Sequence, residues 1–97
     1  MKYEIVLALQ AVQDLKRLKA HSRATIRDAI ERFLRHEPTK TSRSRIKRLR
    51  GVSKPQFRLR VENVRVFYDV SERRVEILAI LSKADAEIWL KKAGEQS

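Results

Sequence analysis

Residues 57–70, FRLRVENVRVFYDV, constrain this chain more than any other stretch. Phe57, Leu59 and Val61 alternate with Arg58 and Arg60, and Val64, Val66, Tyr68 and Val70 alternate with Arg65, Phe67 and Asp69. A period of two puts one set on each face of a strand, so both runs read as strands with one apolar side. Asn63 and its neighbours supply a tight turn between them. A second turn, SERR at 71–74, leads into VEILAIL, a largely buried strand. Three strands joined by short turns make an antiparallel meander.

The strands need a cover, and the preceding residues provide one. After a first strand over residues 2–7, KYEIVL, the period changes. Ala11, Leu15 and Leu18 fall at helical spacing with Val12 beside them, which predicts a helix to about Lys19. Ser22 is placed to cap a second helix, in which Ile26, Ala29, Ile30, Phe33 and Leu34 form an apolar stripe. Pro38 stops it. The two helices read as a hairpin. Residues 39–44 are polar and uncommitted, and RIKRLRG, ending at Gly51, reads as a short strand. Ser82 and Asp85 have the form of a capping box for a closing helix from about Ala84 to Ala93, with Gly94 placed as its C-cap. The order is β-α-α-β-β-β-β-α, one α+β domain over residues 1–97. Its N-terminal helical hairpin packs on a small, mainly antiparallel sheet, and the helices are expected to cover one sheet face.

Charge narrows the function. The chain carries 23 Lys+Arg against 12 Asp+Glu, a net charge of +11. Such an excess creates a positive field whose usual partners are nucleic acid, an anionic membrane surface or an acidic protein. From Lys40 to Arg60 the basic residues Lys40, Arg43, Arg45, Lys47, Arg48, Arg50, Lys54, Arg58 and Arg60 occur without one Asp or Glu. Arg58 and Arg60 point away from the apolar side of their strand, and Arg65 could join them across the hairpin. Like charges side by side are destabilising unless an anion separates them. Phosphate is such an anion, and arginine meets it with paired hydrogen bonds. The plainer alternative is a solvated strand face that happens to be rich in arginine.

Other chemistries find little support. The chain has no cysteine, which excludes disulfides and thiolate metal sites. The longest apolar run near the start, Ile5 to Leu9, is too short for a signal core or a membrane span, so a cytoplasmic protein with no membrane partner is expected. His21, between the helices, and His36, at the end of the second, read as structural or solvated. Tyr68 shares the core-facing side with its valines. Trp89 falls in the apolar stripe of the last helix and reads as core, although a base-stacking role is open.

The helical hairpin, LRG at 49–51, FRLRVENVRVFYDV at 57–70 and VEILAIL at 75–81 together resemble the RelE/ParE toxin superfamily of bacterial and archaeal toxin–antitoxin systems. The likeness extends over nearly the whole chain. It implies a RelE-like fold and a toxin that pairs with a cognate antitoxin in a hetero-oligomer. RelE-like members are ribosome-dependent endoribonucleases that cut mRNA without metal or other cofactor: the ribose 2′-hydroxyl attacks the adjacent phosphate and leaves a cyclic phosphate.

Carried over residue by residue, the resemblance makes Arg58, Arg65 and Lys83 the catalytic candidates. Arg45, Lys47, Arg48, Arg50, Lys54 and Arg60 are the candidates for holding RNA. Gln56 stands where RelE has a further lysine. Trp89 and Leu90 occupy the region where active members carry a tyrosine. ParE-like members share the fold and act on DNA gyrase, so a ParE-like or catalytically weakened toxin is the alternative. A plain RNA-binding module is the third reading.

Overall fold

A computed structural model describes residues 2–96 of the chain. In chain order the elements are β1 (Glu4–Leu7), α1 (Leu9–Arg17), α2 (Ala20–Ala29), β2 (Ile46–Arg48), β3 (Phe57–Val61), β4 (Val64–Ser71), β5 (Arg74–Ser82) and α3 (Lys83–Gln96). A π-helical turn, Ile30–Leu34, continues α2 without a break. The five strands form one sheet in the order β1-β5-β4-β3-β2. All neighbours are antiparallel except β1, which pairs with β5 in parallel, Ile5 opposite Val75. The meander is the antiparallel one expected. The parallel pair joins the first and last strands of the chain, with the helical hairpin and β2–β4 lying between them in sequence.

Alternation along β4 builds two cores. Val66 and Tyr68 face the hairpin, where they join Leu15, Ile26, Leu34, Leu59 and Ile77. Phe57 and Tyr68 stack with ring centroids 5.5 Å apart. The Tyr68 hydroxyl donates to the Pro38 carbonyl at 2.7 Å, which satisfies the one polar atom of a fully buried ring and anchors the loop after α2. Burial pushes the Tyr68 phenol pKa up. On the other face, Phe67 and Ala79 pack against Ala86, with Leu49, Leu81, Trp89 and Leu90 around them.

The helices therefore do not all cover one face, as the sequence suggested: α3 lies on the face opposite the hairpin. Phe67 explains the difference. It sits among the residues alternating with the valines, and an aromatic ring there needs its own cover. Trp89 supplies it, stacking on Phe67 at 5.0 Å while its indole N–H donates to Gln10 at 3.2 Å.

A bulge separates the two cores in β5. Phe67 pairs with Ala79 and Tyr68 with Ile77, so Leu78 is an extra residue between them. The shift keeps Ile77 and Val75 on the hairpin side although Ala79 faces α3.

Several boundaries differ from the sequence reading. The first strand begins at Glu4, and the short basic strand is confined to Ile46–Arg48. α2 starts at Ala20, so Ser22 and His21 lie inside it rather than in the link. Lys19 holds the N-cap position with no side-chain cap. Gly94 lies within α3 rather than ending it, and a Cβ there would make an ordinary contact with Val52 at 3.4 Å. The start of α3 is as expected: the Ser82 hydroxyl accepts from the Asp85 amide at 3.2 Å.

Both outer strands are partly capped. The Ser42 amide donates to the Ile46 carbonyl at 2.9 Å, and its hydroxyl accepts from the Ile46 amide at 3.3 Å. At the other edge, the Tyr3 amide donates to the Arg35 carbonyl at 2.7 Å, and the Arg35 guanidinium donates back to the Tyr3 carbonyl at 3.0 Å.

Tyr68→Phe keeps the ring stack but strands the Pro38 carbonyl. It should lower the unfolding free energy by about 1–3 kcal/mol with no change in the urea m-value, as measured by denaturation followed by circular dichroism.

Candidate nucleic-acid interface

The register of β3 fixes where each basic side chain points. Lys47 pairs with Arg58, Arg58 with Phe67, and Arg60 with Arg65. Directly opposed residues share a face, so Lys47, Arg58, Arg60 and Arg65 all stand on the α3 side of the sheet, beside the Phe67 core. Arg60 is exposed, Arg58 half-buried and Arg65 nearly covered at 8% exposure.

Among the described residues, none of these four forms an ion pair with a carboxylate. The Arg58 Nε is buried with no hydrogen-bond partner. Burial, with Arg65 and Arg60 nearby, holds the Arg58 pKa below its ordinary value. Arg65 is lowered in the same way, by burial first and by Arg60 second. Both shifts have one physical meaning: these cations are short of water and of counter-charge, and an anion entering the face would relieve both.

Arg65 does have partners, and they are backbone. Its Nη1 donates to the Glu62 carbonyl at 2.9 Å and to the Val64 carbonyl at 3.2 Å. Lys83 is the first residue of α3 and is exposed; its amide donates to the Asn63 carbonyl at 2.9 Å. The β3–β4 turn thus lies between Arg65 and Lys83 and touches both.

The remaining candidates are elsewhere. Arg48 lies over the Phe57 ring at 5.2 Å and Arg45 over Phe33 at 4.2 Å, a ring that Arg32 also approaches at 5.4 Å. These guanidinium groups stack on aromatic faces on the hairpin side of the sheet. Lys54 sits between two carboxylates, 3.8 Å from Asp69 and 3.6 Å from Glu76. Arg50 is exposed just beyond β2.

Gln56, in the place of a possible further cation, has a structural task. Its amide donates to Asp69 at 2.7 Å and its side-chain oxygen accepts from the Val70 amide at 2.8 Å. Burial raises the Asp69 pKa, against the Gln56 bond and Lys54, which lower it. This exchange holds the loop before β3 against β4. Among the described residues, no group of three or more His, Asp or Glu side chains is gathered so as to hold a metal ion, and no helix is long and apolar enough to cross a membrane.

A family model described as the ParE toxin of the type II toxin–antitoxin system parDE matches residues 5–87. No curated protein matches the chain at the sequence level. Among solved structures, the chain is similar to the RelB–RelE antitoxin–toxin complex of Methanococcus jannaschii. That match has 23% identity and a TM-score of 0.67, and covers 87% of this chain and 96% of the other. The toxin–antitoxin complex RelBE2 of Mycobacterium tuberculosis matches at 22% identity and a TM-score of 0.71, covering 84% and 99%. A mutant of the E. coli toxin RelE in the free state matches at 17% identity and a TM-score of 0.70, covering 99% and 98%. These likenesses show a shared α+β fold.

Replacing a crowded, unpaired cation with an apolar side chain of similar length should help folding. Arg58→Met should raise stability in low-salt buffer by up to about 1 kcal/mol, a figure limited by the solvent screening of a half-exposed group. Added inorganic phosphate should raise the melting temperature of the native chain more than that of Arg58→Met, as read by differential scanning fluorimetry.

Proposed function

The chain belongs to the ParE toxin family of type II toxin–antitoxin systems, and within that family we propose that it is a ribosome-dependent, metal-independent mRNA endoribonuclease that inhibits translation. The observation that supports this reading is the set of Arg58, Arg60 and Arg65 on one sheet face without a carboxylate partner among the described residues. A phosphodiester brings the charge these cations lack and meets arginine with paired hydrogen bonds.

On this reading the message crosses the face with its scissile phosphate at Arg58 and Arg65. The 2′ oxygen forms a bond to phosphorus, its proton passes to water, and the bond from phosphorus to the 5′ oxygen breaks. Charge accumulates on the phosphoryl oxygens as this happens, and preorganised guanidinium groups act most strongly there. Arginine stays protonated, so it supplies charge and hydrogen bonds but no proton. Lys83 is the side chain assigned to protonate the leaving 5′ oxygen. Lys47 and Arg60 hold the flanking backbone, and Arg45, Arg48 and Arg50 extend the positive surface around the β2 edge. Lys54 is the weakest member, because two carboxylates already surround it.

The partner expected in the resting state is a cognate antitoxin, acidic or amphipathic, in a hetero-oligomer; the RelE structures similar to this chain include antitoxin complexes. A second reading has an observation of its own. The matching family model is the ParE toxin, and Trp89 and Leu90, in the region where RelE-like members carry a tyrosine, are committed to packing around Phe67. A toxin that binds a protein target such as DNA gyrase would need no such tyrosine.

Induction of the chain in cells followed by mapping of mRNA 5′ ends separates the two. Cuts in phase with the reading frame, with 5′-hydroxyl ends, are expected. Arg65→Ala should reduce them at least about 100-fold. Growth arrest that survives Arg65→Ala undiminished, with intact mRNA, filamentation and blocked replication, would reject the nuclease in favour of a protein target.

A further inference from the structure

Three consecutive carbonyls of the β3–β4 turn are used in one place. Glu62 and Val64 accept from Arg65 Nη1, and Asn63, between them, accepts from the Lys83 amide. The turn that does this contains a strained residue. Glu62 has φ +54, in the left-handed region that non-glycine residues occupy at a cost of about 1 kcal/mol. A two-residue hairpin loop calls for a positive φ at its first position, and Glu72, at φ +48, meets the same demand in the β4–β5 turn. In the β3–β4 turn the carbonyls so directed meet Arg65 and Lys83.

We infer that the Glu62–Asn63 turn is the positioning element of the arginine face, fixing the Arg65 guanidinium by one nitrogen and the first turn of α3 by the Lys83 amide. The inference rests on the reading of that face as the RNA phosphate site. A guanidinium has five N–H donors in a rigid fork. With Nη1 held by two carbonyls, the plane of the fork is set and its rotamer freedom is lost before a phosphate arrives, leaving the other donors free to meet it. The same turn sets how far Lys83 stands from Arg65, because Val64 pairs with Ser82, the residue before Lys83. Glu62 and Asn63 are positioning residues: they act on the phosphate through Arg65 and Lys83.

Substitutions at Glu62 separate carbonyl direction from everything else. Glycine takes a positive φ freely, so Glu62→Gly keeps the turn; valine, branched at Cβ, resists it. In cleavage assays on programmed ribosomes, Glu62→Gly should retain kcat and KM. Glu62→Val should lower kcat by about 10- to 100-fold, the scale of a small misplacement, with KM nearly unchanged. In an Arg65→Lys background, which lacks the fork, Glu62→Val should cost several-fold less than in the native chain, the remainder being the share exerted through Lys83. An equal loss in both backgrounds would mean that the turn acts through stability alone and would overturn the inference.

The tie to α3 has its own pair of variants. Lys83 is the first helical residue, a position that accepts proline without breaking the helix. Lys83→Pro deletes the amide as well as the side chain, and Lys83→Ala deletes the side chain alone. Lys83→Pro should be the slower by at least about 5-fold; equal rates would overturn that half of the inference.

One readout needs no cleavage. In nitrogen-detected NMR of the purified chain, the Arg65 side-chain N–H signals should be resolved and slowly exchanging in the native protein and in Glu62→Gly, and averaged in Glu62→Val. Identical spectra in all three would overturn the positioning role. Ordered Arg65 signals in a chain that cuts no mRNA would instead overturn the nuclease reading and leave the turn's grip on Arg65 intact.

Discussion

Burial of β4 on both faces is the constraint from which the rest follows. Tyr68 and Val66 are held on one side by Phe57, Leu59 and the hairpin, and Phe67 on the other by Ala79 and Trp89. Each large apolar side chain so buried contributes about 1.5–3 kcal/mol. A like-charged cross-strand pair costs about 0.2–1 kcal/mol. Packing at Phe67 and Tyr68 therefore decides the register of β3 and β4, and the opposition of Arg60 to Arg65 is imposed by it. The arginine cluster is stable because a stronger interaction leaves the strands no other alignment.

The same packing sorts the positive charge. A net charge of +11 suggests a uniform surface, but the basic residues meet different surroundings. Lys54 is neutralised by Asp69 and Glu76. Arg45 and Arg48 lie over aromatic rings. On the face beside α3, guanidinium groups are drawn together, partly desolvated and short of counter-charge. That contrast, more than the charge total, distinguishes a place built to receive an anion from a generally basic exterior.

Much of this was legible in the sequence because it depends on local period. The stripe from Ile26 to Leu34 specified the second helix, the alternation at 57–61 and 64–70 specified β3 and β4, and Ser82 with Asp85 marked the start of α3. The grouping of Arg58, Arg60 and Arg65 on one side followed from the same alternation. What was not legible depends on long-range contact. The parallel pairing of β1 with β5 carries no local signature. Phe67 was visible among the polar-side residues, but only its stack with Trp89 shows that this face has a core of its own and that α3 lies across it. The start of α2 at Ala20 was missed because Lys19 holds the N-cap position without a side-chain bond, while Ser22 offered a stronger but unused signal. The grip of the turn on Arg65 was hidden because it depends on the direction of carbonyl groups, which side-chain pattern does not encode.

The caps at the two outer strands have a consequence for how copies of the molecule meet. A bare strand margin invites the margin of another chain, and ribbons grow in that way. Here an arriving chain would have to compete with Ser42 at Ile46 on one flank and with Arg35 at Tyr3 on the other. Lateral fibre growth is thus hindered at those two points, and mutual repulsion between cationic copies slows the encounter that would begin it.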